Sequence, residues 1–185
     1  ASEGTLGIIS KAVLKLVPPP KASRAMMAVF GDIRAAANAV AGIIAAHILP
    51  CTLEIMDNAT INLVEDNENI GLPRSAAAIL LIEVDGHPAQ VADDAETVEK
   101  VLRENGALET VAAKDAAEKS KLWEARRKAL PALARLRPTI VLEDATVPRS
   151  KIPAMIDAIG DIAKKYRLFI GTFGHAGDGN LHPSI

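Results

Sequence analysis

The spacing of apolar side chains switches repeatedly along this chain, between the period of two that marks a strand and the three-to-four spacing that marks a helix. Residues 5–17 (TLGIISKAVLKLV) set Ile9, Lys11, Val13, Lys15 and Val17 against Ser10, Ala12, Leu14 and Leu16, which reads as a strand ended by three prolines. SRAMMAVFG (23–31) predicts a strand, and behind Asp32 as a cap Ile33, Ala37, Val40, Ile44 and His47 recur at helical spacing. TLEIM (52–56) predicts a short strand, with Asp57 or Asn58 capping a helix through Val64. AAAILLIEVDG (76–86) is apolar almost throughout; β-branching and the Asp-Gly end favour a buried strand over a core helix. HPAQVADDAETVEKVLRENG (87–106) puts Pro88 in a first turn, Val91, Ala95, Val98 and Leu102 on one stripe, and Gly106 at the stop.

LETVAA (108–113) follows as a strand. Residues 115–136 predict a helix that opens with Asp115 and Glu118 at capping-box spacing, and Pro131 should kink or end it, since an interior proline costs roughly 3 kcal/mol. TIVLEDATV (139–147) predicts a strand, SKIPAMIDAIGDIAKKY (150–166) a helix with Ile152, Ile156, Ile159, Ala163 and Tyr166 aligned, and LFIGTF (168–173) a strand. Two successive β-α-β units, 24–56 and 77–113, imply an α+β, ferredoxin-like fold: an antiparallel sheet with helices packed on one face, extended by 139–173. Residues 1–185 read as a single domain, with no internal repeat and no linker.

Composition narrows the function classes. Apolar residues are 49% of the chain but aromatics only 3%, so the core is built from Ala, Val, Ile and Leu. Twenty-one basic and 23 acidic residues leave a net charge of −2, and no Lys/Arg-rich run is present to follow a phosphate backbone, which argues against nucleic acid as a partner. The single Cys51 has no CxxC companion and suits a reducing compartment. That makes the cytoplasm the expected location, and no apolar run approaches the ~18 residues of a transmembrane segment. The chain opens at Ala1 on mid-protein sequence and stops at Ile185 inside an apolar stretch, which suggests a portion of a longer protein. Apolar surface left bare in such a portion should promote self-association.

The chemistry concentrates in TFGHAGDGNLH (172–182), which holds two of the four histidines. With Asp178-Gly179 as a two-residue turn, positions summing to 357 oppose one another, and His175 and His182 are such a pair. Directly opposed residues share a face with Cβ atoms about 4.5–5.5 Å apart, so two imidazoles can ligate one ion, half of a metal site. The alternative is a plain GDG turn with histidines that are merely exposed or satisfied.

The segments SEGTLGIISKAVLKLVP (2–18), LEIMDN (53–58), LWEARRKALPAL (122–133), EDATVPRSKIP (143–153) and GHAGDGNLHP (174–183) together resemble the C-terminal domain of FAD-linked oxidases of the vanillyl-alcohol-oxidase superfamily, in particular the branch of glycolate oxidase and D-lactate dehydrogenase. The resemblance implies a substrate-side domain of an FAD-dependent enzyme that oxidises a small 2-hydroxyacid to the 2-oxoacid, with the flavin-binding domain and the extreme C-terminus outside this chain. It implies that Ser2, Glu3, Gly4, Gly7 and Ile8 approach the FAD, that Arg126 and Asn180 meet the substrate, and that His175 and His182 are catalytic as ligands of a divalent metal such as zinc. Arg127 and Lys128 stand beside Arg126 as alternatives, and Leu130 and Leu142 disfavour a second substrate carboxylate. The family's third ligand, a glutamate, and its neighbouring base histidine have no counterpart here. Glu54, Asp57, Glu143 and Asp144 also match family positions and read as cap or strand-end carboxylates. The same resemblance implies companion subunits and attachment at the periphery of the inner membrane. A ferredoxin-like binding or regulatory module without redox chemistry is the competing class.

Overall fold

The computed structural model describes residues 4–136 and 138–185; Ser2 and Glu3, expected near the flavin, lie outside the described residues. Among the described residues seven strands form one sheet: β1 (Ala22–Phe30), β2 (Thr52–Asp57), β3 (Ala78–Gly86), β4 (Ala107–Ala112), β5 (Ala145–Thr146), β6 (Gly171–His175) and β7 (Asn180–Ser184). Five helices accompany them: α1 (Ile33–Ala45), α2 (Asn58–Glu68), α3 (Pro88–Glu104), α4 (Ala116–Leu136) and α5 (Ile152–Tyr166). The strand order is β4-β1-β3-β2-β6-β7-β5 and every pairing is antiparallel. Its first four strands have the order expected of two ferredoxin-like units.

The sheet is covered on both faces, where one face was expected to be bare. Helices α1 and α3, with Ile152 at the start of α5, pack on Phe30, Ile55, Leu80 and Ile82. Helices α2 and α4 pack on Val29, Met56, Ile79, Leu81 and Phe173. The reason is written in β3: Ile79, Leu80, Leu81 and Ile82 are all buried, and a strand apolar on both sides needs cover on both. The second cover is α2, inserted between the two β-α-β units, together with α4, which follows them.

Local signals set the helix ends. Asp32 caps α1 by accepting from the Arg34 N–H, and Pro88 opens α3. The Asp115 carboxylate accepts from the Glu118 N–H, while Glu118 reaches one residue further back than a capping box, to the Lys114 N–H. Pro131 lies inside α4 without ending it.

Two expected strands are reduced or missing. Residues 139–147 contribute only Ala145–Thr146 and an isolated bridge from Leu142 to Ser184. Residues 7–20 form no strand at all: Leu6, Ile8, Ile9, Val13, Leu14, Leu16 and Val17 are each 75% or more exposed. The alternating pattern is there, but among the described residues no strand pairs with it, and an extended segment without a partner has no ladder to stabilise it. Seven large apolar side chains in water should drive the isolated chain to self-associate. Sedimentation velocity on it is expected to show dimers or larger species that dissolve when residues 4–20 are deleted.

Asp57 ties β2 to α2 and β6. One carboxyl oxygen accepts from the Thr60 N–H as the helix cap, and the other accepts from the Thr172 N–H, each at 2.8 Å. Burial pushes this carboxyl up from 3.8 to about 6, against the pull of those two bonds. Between about pH 4 and 6 the folded chain therefore keeps a proton that the unfolded chain has released. The group's contribution to stability is complete below pH 4, falls as pH rises to 6 and is flat above. Chemical denaturation should show the free-energy gap between wild type and Asp57→Asn narrowing by roughly 3 kcal/mol over that window, at about 1.4 kcal/mol per pH unit. A gap constant with pH would assign the proton elsewhere.

Candidate functional site

The hairpin β6–β7 turns through Ala176–Gly179, four residues, so the register differs from the expected one. Asn180 faces His175, and His182 faces Phe173. The loop turns early because it is drawn inward: Ala176 is fully buried, and the Gly177 N–H donates to the Leu53 carbonyl at 3.0 Å. Opposed residues share a face, so the shift of two keeps both imidazoles on one side of the sheet as diagonal neighbours. Their ring centroids are 5.1 Å apart and the planes nearly perpendicular at 88°.

The sheet register extends this pair into two rows. Glu54, His175, Asn180 and Thr146 lie abreast across β2, β6, β7 and β5. Met56, Phe173 and His182 form the next row, with Asp144 beside His182 just before β5. Helix α4 lies over the same face, and it brings Arg126, next to the buried Ala125, down onto the rows.

Each imidazole has a carboxylate at its Nδ1. The His175 Nδ1–H donates to Glu54 Oε1, and Asp144 Oδ1 lies 2.8 Å from His182 Nδ1, a close contact out of line for a hydrogen bond. The other Glu54 oxygen accepts from Arg126 Nε at 2.6 Å, and the guanidinium lies over the Phe173 ring, 4.6 Å from its centroid. Among the described residues the Arg126 Nη groups have no hydrogen-bond partner. Arg127 points away and donates to the Ser120 carbonyl, and Lys128 is paired with Glu68 on α2. Of the three neighbouring cations, only Arg126 reaches Glu54 and Phe173, the side chains beside the imidazoles.

Asn180 is also committed to the row. Its Oδ1 accepts from Thr146 Oγ1 at 2.9 Å, and its Nδ2 points at Asp144 Oδ1 at 3.4 Å. A cavity of about 270 Å³ opens beside His175, bordered by Glu54, Arg149, Gly177 and Asp178.

This arrangement suits a metal ion in two respects. Two imidazoles on one tetrahedral zinc, with Zn–N bonds of about 2.0–2.1 Å, put their ring centroids about 5 Å apart. A ligating histidine also characteristically has its other ring nitrogen held by a carboxylate, as His175 does here through Glu54, while Asp144 stands close to His182 Nδ1 without a hydrogen bond. A third ligand is missing: among the described residues no group of three His, Cys, Asp or Glu side chains is placed to hold an ion. At the other end of the chain, Gly4 has φ +76° and nothing would meet a Cβ on Gly4 or Gly7 within 4 Å, so backbone there is open to close approach by a ligand.

Sequence reasoning treated Glu54 and Asp144 as structural carboxylates. The available signal for Glu54 was a charge between Leu53 and Ile55 in an otherwise apolar strand, since such a group needs a buried partner.

Residues 19–185 match the family of FAD linked oxidases, C-terminal domain, and the chain belongs to that family. Over 99% of its length it is 53% identical to the glycolate oxidase subunit GlcD of Bacillus subtilis, and over its full length 40% identical to GlcD of Escherichia coli K12. A probable mitochondrial D-lactate dehydrogenase of Danio rerio is 30% identical over 98% of the chain. The chain spans about two fifths of the length of these relatives, 36–39%. Solved structures with the same fold include alkyldihydroxyacetonephosphate synthase, with a TM-score of 0.69 at 20% identity over 99% of this chain and 40% of that one. p-Cresol methylhydroxylase follows with a TM-score of 0.62 at 12% identity over 91% of this chain and 39% of that one. The family is one of FAD-linked oxidases, which supports FAD as a cofactor.

Proposed function

We propose that this chain is the substrate-side domain of an FAD-dependent enzyme that oxidises a small 2-hydroxyacid, of the glycolate or D-lactate type, to the 2-oxoacid. The observation that supports this best is the convergence of His175, His182 and Arg126 on one face of the sheet, with a carboxylate close to each Nδ1 and the Arg126 Nη groups open. The flavin-binding domain would precede Gly4, and residues 4–20, with their bare apolar side chains, would dock against it and bring Gly4, Gly7 and Ile8 to the cofactor.

When bound, the flavin supplies the two-electron acceptor and a divalent cation such as zinc supplies Lewis-acid polarisation of the substrate hydroxyl. His175 and His182 would hold that cation through Nε2. Arg126 receives the substrate carboxylate on its two Nη groups, where a guanidinium forms paired hydrogen bonds. Asn180 borders the same space and holds Asp144 against His182. Orientation is thus this domain's share, and a carboxylate fixed at Arg126 beside the imidazoles presents the 2-hydroxyl to them. The relatives' description as glycolate oxidase subunits also favours companion subunits; no helix among the described residues is long and apolar enough to cross a membrane. A binding module without redox chemistry has no use for paired imidazoles backed by carboxylates.

Arg126→Lys in the full-length, flavin-loaded protein tests the reading. An ammonium cannot reproduce the bidentate contact, and loss of one charged hydrogen bond, about 1.5–3 kcal/mol, should lower kcat/KM for glycolate or D-lactate by roughly 10–100-fold. Unchanged kinetics would remove the carboxylate from Arg126.

A further inference from the structure

The Glu54 side chain is 6% exposed and sits in the middle of β2, between Leu53 and Ile55 on the opposite face. A buried carboxylate is tolerated only when its oxygens are satisfied, and here each oxygen has a separate partner: Oε1 takes the His175 Nδ1–H and Oε2 takes Arg126 Nε. The two partners come from different elements, β6 and α4, and are not bonded to each other.

We infer that Glu54 is a positioning residue that sets His175 and Arg126 in register with one another, so that one buried carboxylate couples the metal-binding end of the site to its carboxylate-binding end. The inference rests on the function proposed above and goes beyond it, because Glu54 touches neither substrate nor cofactor. Its action follows from hydrogen-bond chemistry. A carboxylate only accepts, so it fixes the proton of His175 on Nδ1 and leaves Nε2 as the free lone pair. By taking Nε it also turns the guanidinium so that both Nη groups face outward together. Met56, two residues along on the same face, and Phe173 beneath the guanidinium leave Arg126 no other described acceptor. His182 has a carboxylate of its own in Asp144, which is 40% exposed and bridges to nothing on α4. Glu54 is thus the only group among the described residues that is hydrogen-bonded to both ends.

Glu54→Gln keeps the volume and one acceptor but replaces the other by an amide NH2. The experiment measures two quantities on full-length, flavin-loaded protein: zinc affinity, by competition with a chromophoric chelator, and KM and kcat for D-lactate or glycolate with zinc saturating. Loss of a carboxylate behind a ligating histidine should weaken zinc binding roughly 10–100-fold. A misaimed Arg126 should raise KM several-fold even at saturating zinc, while flavin content stays at wild-type level. Because Gln leaves Arg126 without its counter-charge, the zinc comparison is repeated in an Arg126→Met background, where no buried cation is stranded; the same 10–100-fold loss on adding Glu54→Gln is expected there. His175→Ala serves as the reference. If wild type binds zinc and His175→Ala does not, yet Glu54→Gln matches wild type in zinc affinity and KM, the positioning role is overturned while the site stands. If wild type itself binds no zinc, the underlying function fails and the inference falls with it.

Discussion

His175→Ala and His182→Ala, each made in the full-length protein, are expected to lower turnover of 2-hydroxyacids by about 10²–10⁴-fold while leaving the flavin bound. The magnitude follows from the several kcal/mol that a Lewis acid contributes at a developing charge, at about 1.4 kcal/mol per factor of ten. Neither side chain belongs to the apolar clusters: His175 is 46% exposed, and His182, 13% exposed, packs against Phe173 at the rim of one of them. Folding should therefore survive, and flavin absorbance should match wild type. The two losses should also fail to add in the double variant, since one missing ligand already removes the ion. Additive losses would mean that the imidazoles act separately.

Gly179→Ala is expected to be the most damaging single methyl in the hairpin. Gly179 adopts φ +85°, which disfavours any side chain by about 1–2 kcal/mol, and its Cβ would sit 2.0 Å from the Val147 carbonyl oxygen. That oxygen is backbone and cannot rotate away. The Val147 N–H donates to the Gly179 carbonyl at 3.0 Å, so the clash pries apart the contact that holds β5 against the hairpin. The combined effect should be about 2–4 kcal/mol, a drop of roughly 5–15 °C in Tm for a domain of this size. Because Asp144 immediately precedes β5, the variant should also loosen His182 and weaken metal binding. A Tm within a degree or two of wild type would show that the strand end yields freely.

How much of this was legible in the sequence depended on whether the signal was local. The helices α1, α3 and α5 carry their apolar stripes within their own residues, with Asp32 capping α1 and Pro88 and Gly106 bracketing α3, and they form within a few residues of the expected bounds. The segments 7–20 and 139–147 carry strand patterns too, but a pattern cannot supply a partner, so the first stays unpaired and the second keeps two residues of strand. The hairpin is the instructive case. Its turn type was misjudged because Ala176 and Gly177 are held by the core and by Leu53, contacts invisible in the local sequence. The shared face of His175 and His182 survived because a register shift of two preserves side-chain direction; a shift of one would have put the imidazoles on opposite faces. Glu54 was visible as a charge in an apolar strand, but its two partners stand 121 and 72 positions away along the chain, and only the fold brings them to it.

The most direct test of the paired-imidazole site is anaerobic reduction of the flavin. Full-length protein is stripped of metal with a chelator, mixed with D-lactate or glycolate without oxygen, and followed at the flavin absorbance while zinc is added back. The account predicts that stripped protein keeps its oxidised spectrum, that about one equivalent of zinc restores bleaching in wild type, and that no amount restores it in His175→Ala or His182→Ala. Bleaching of the stripped protein, or of either variant, at the wild-type rate would contradict it.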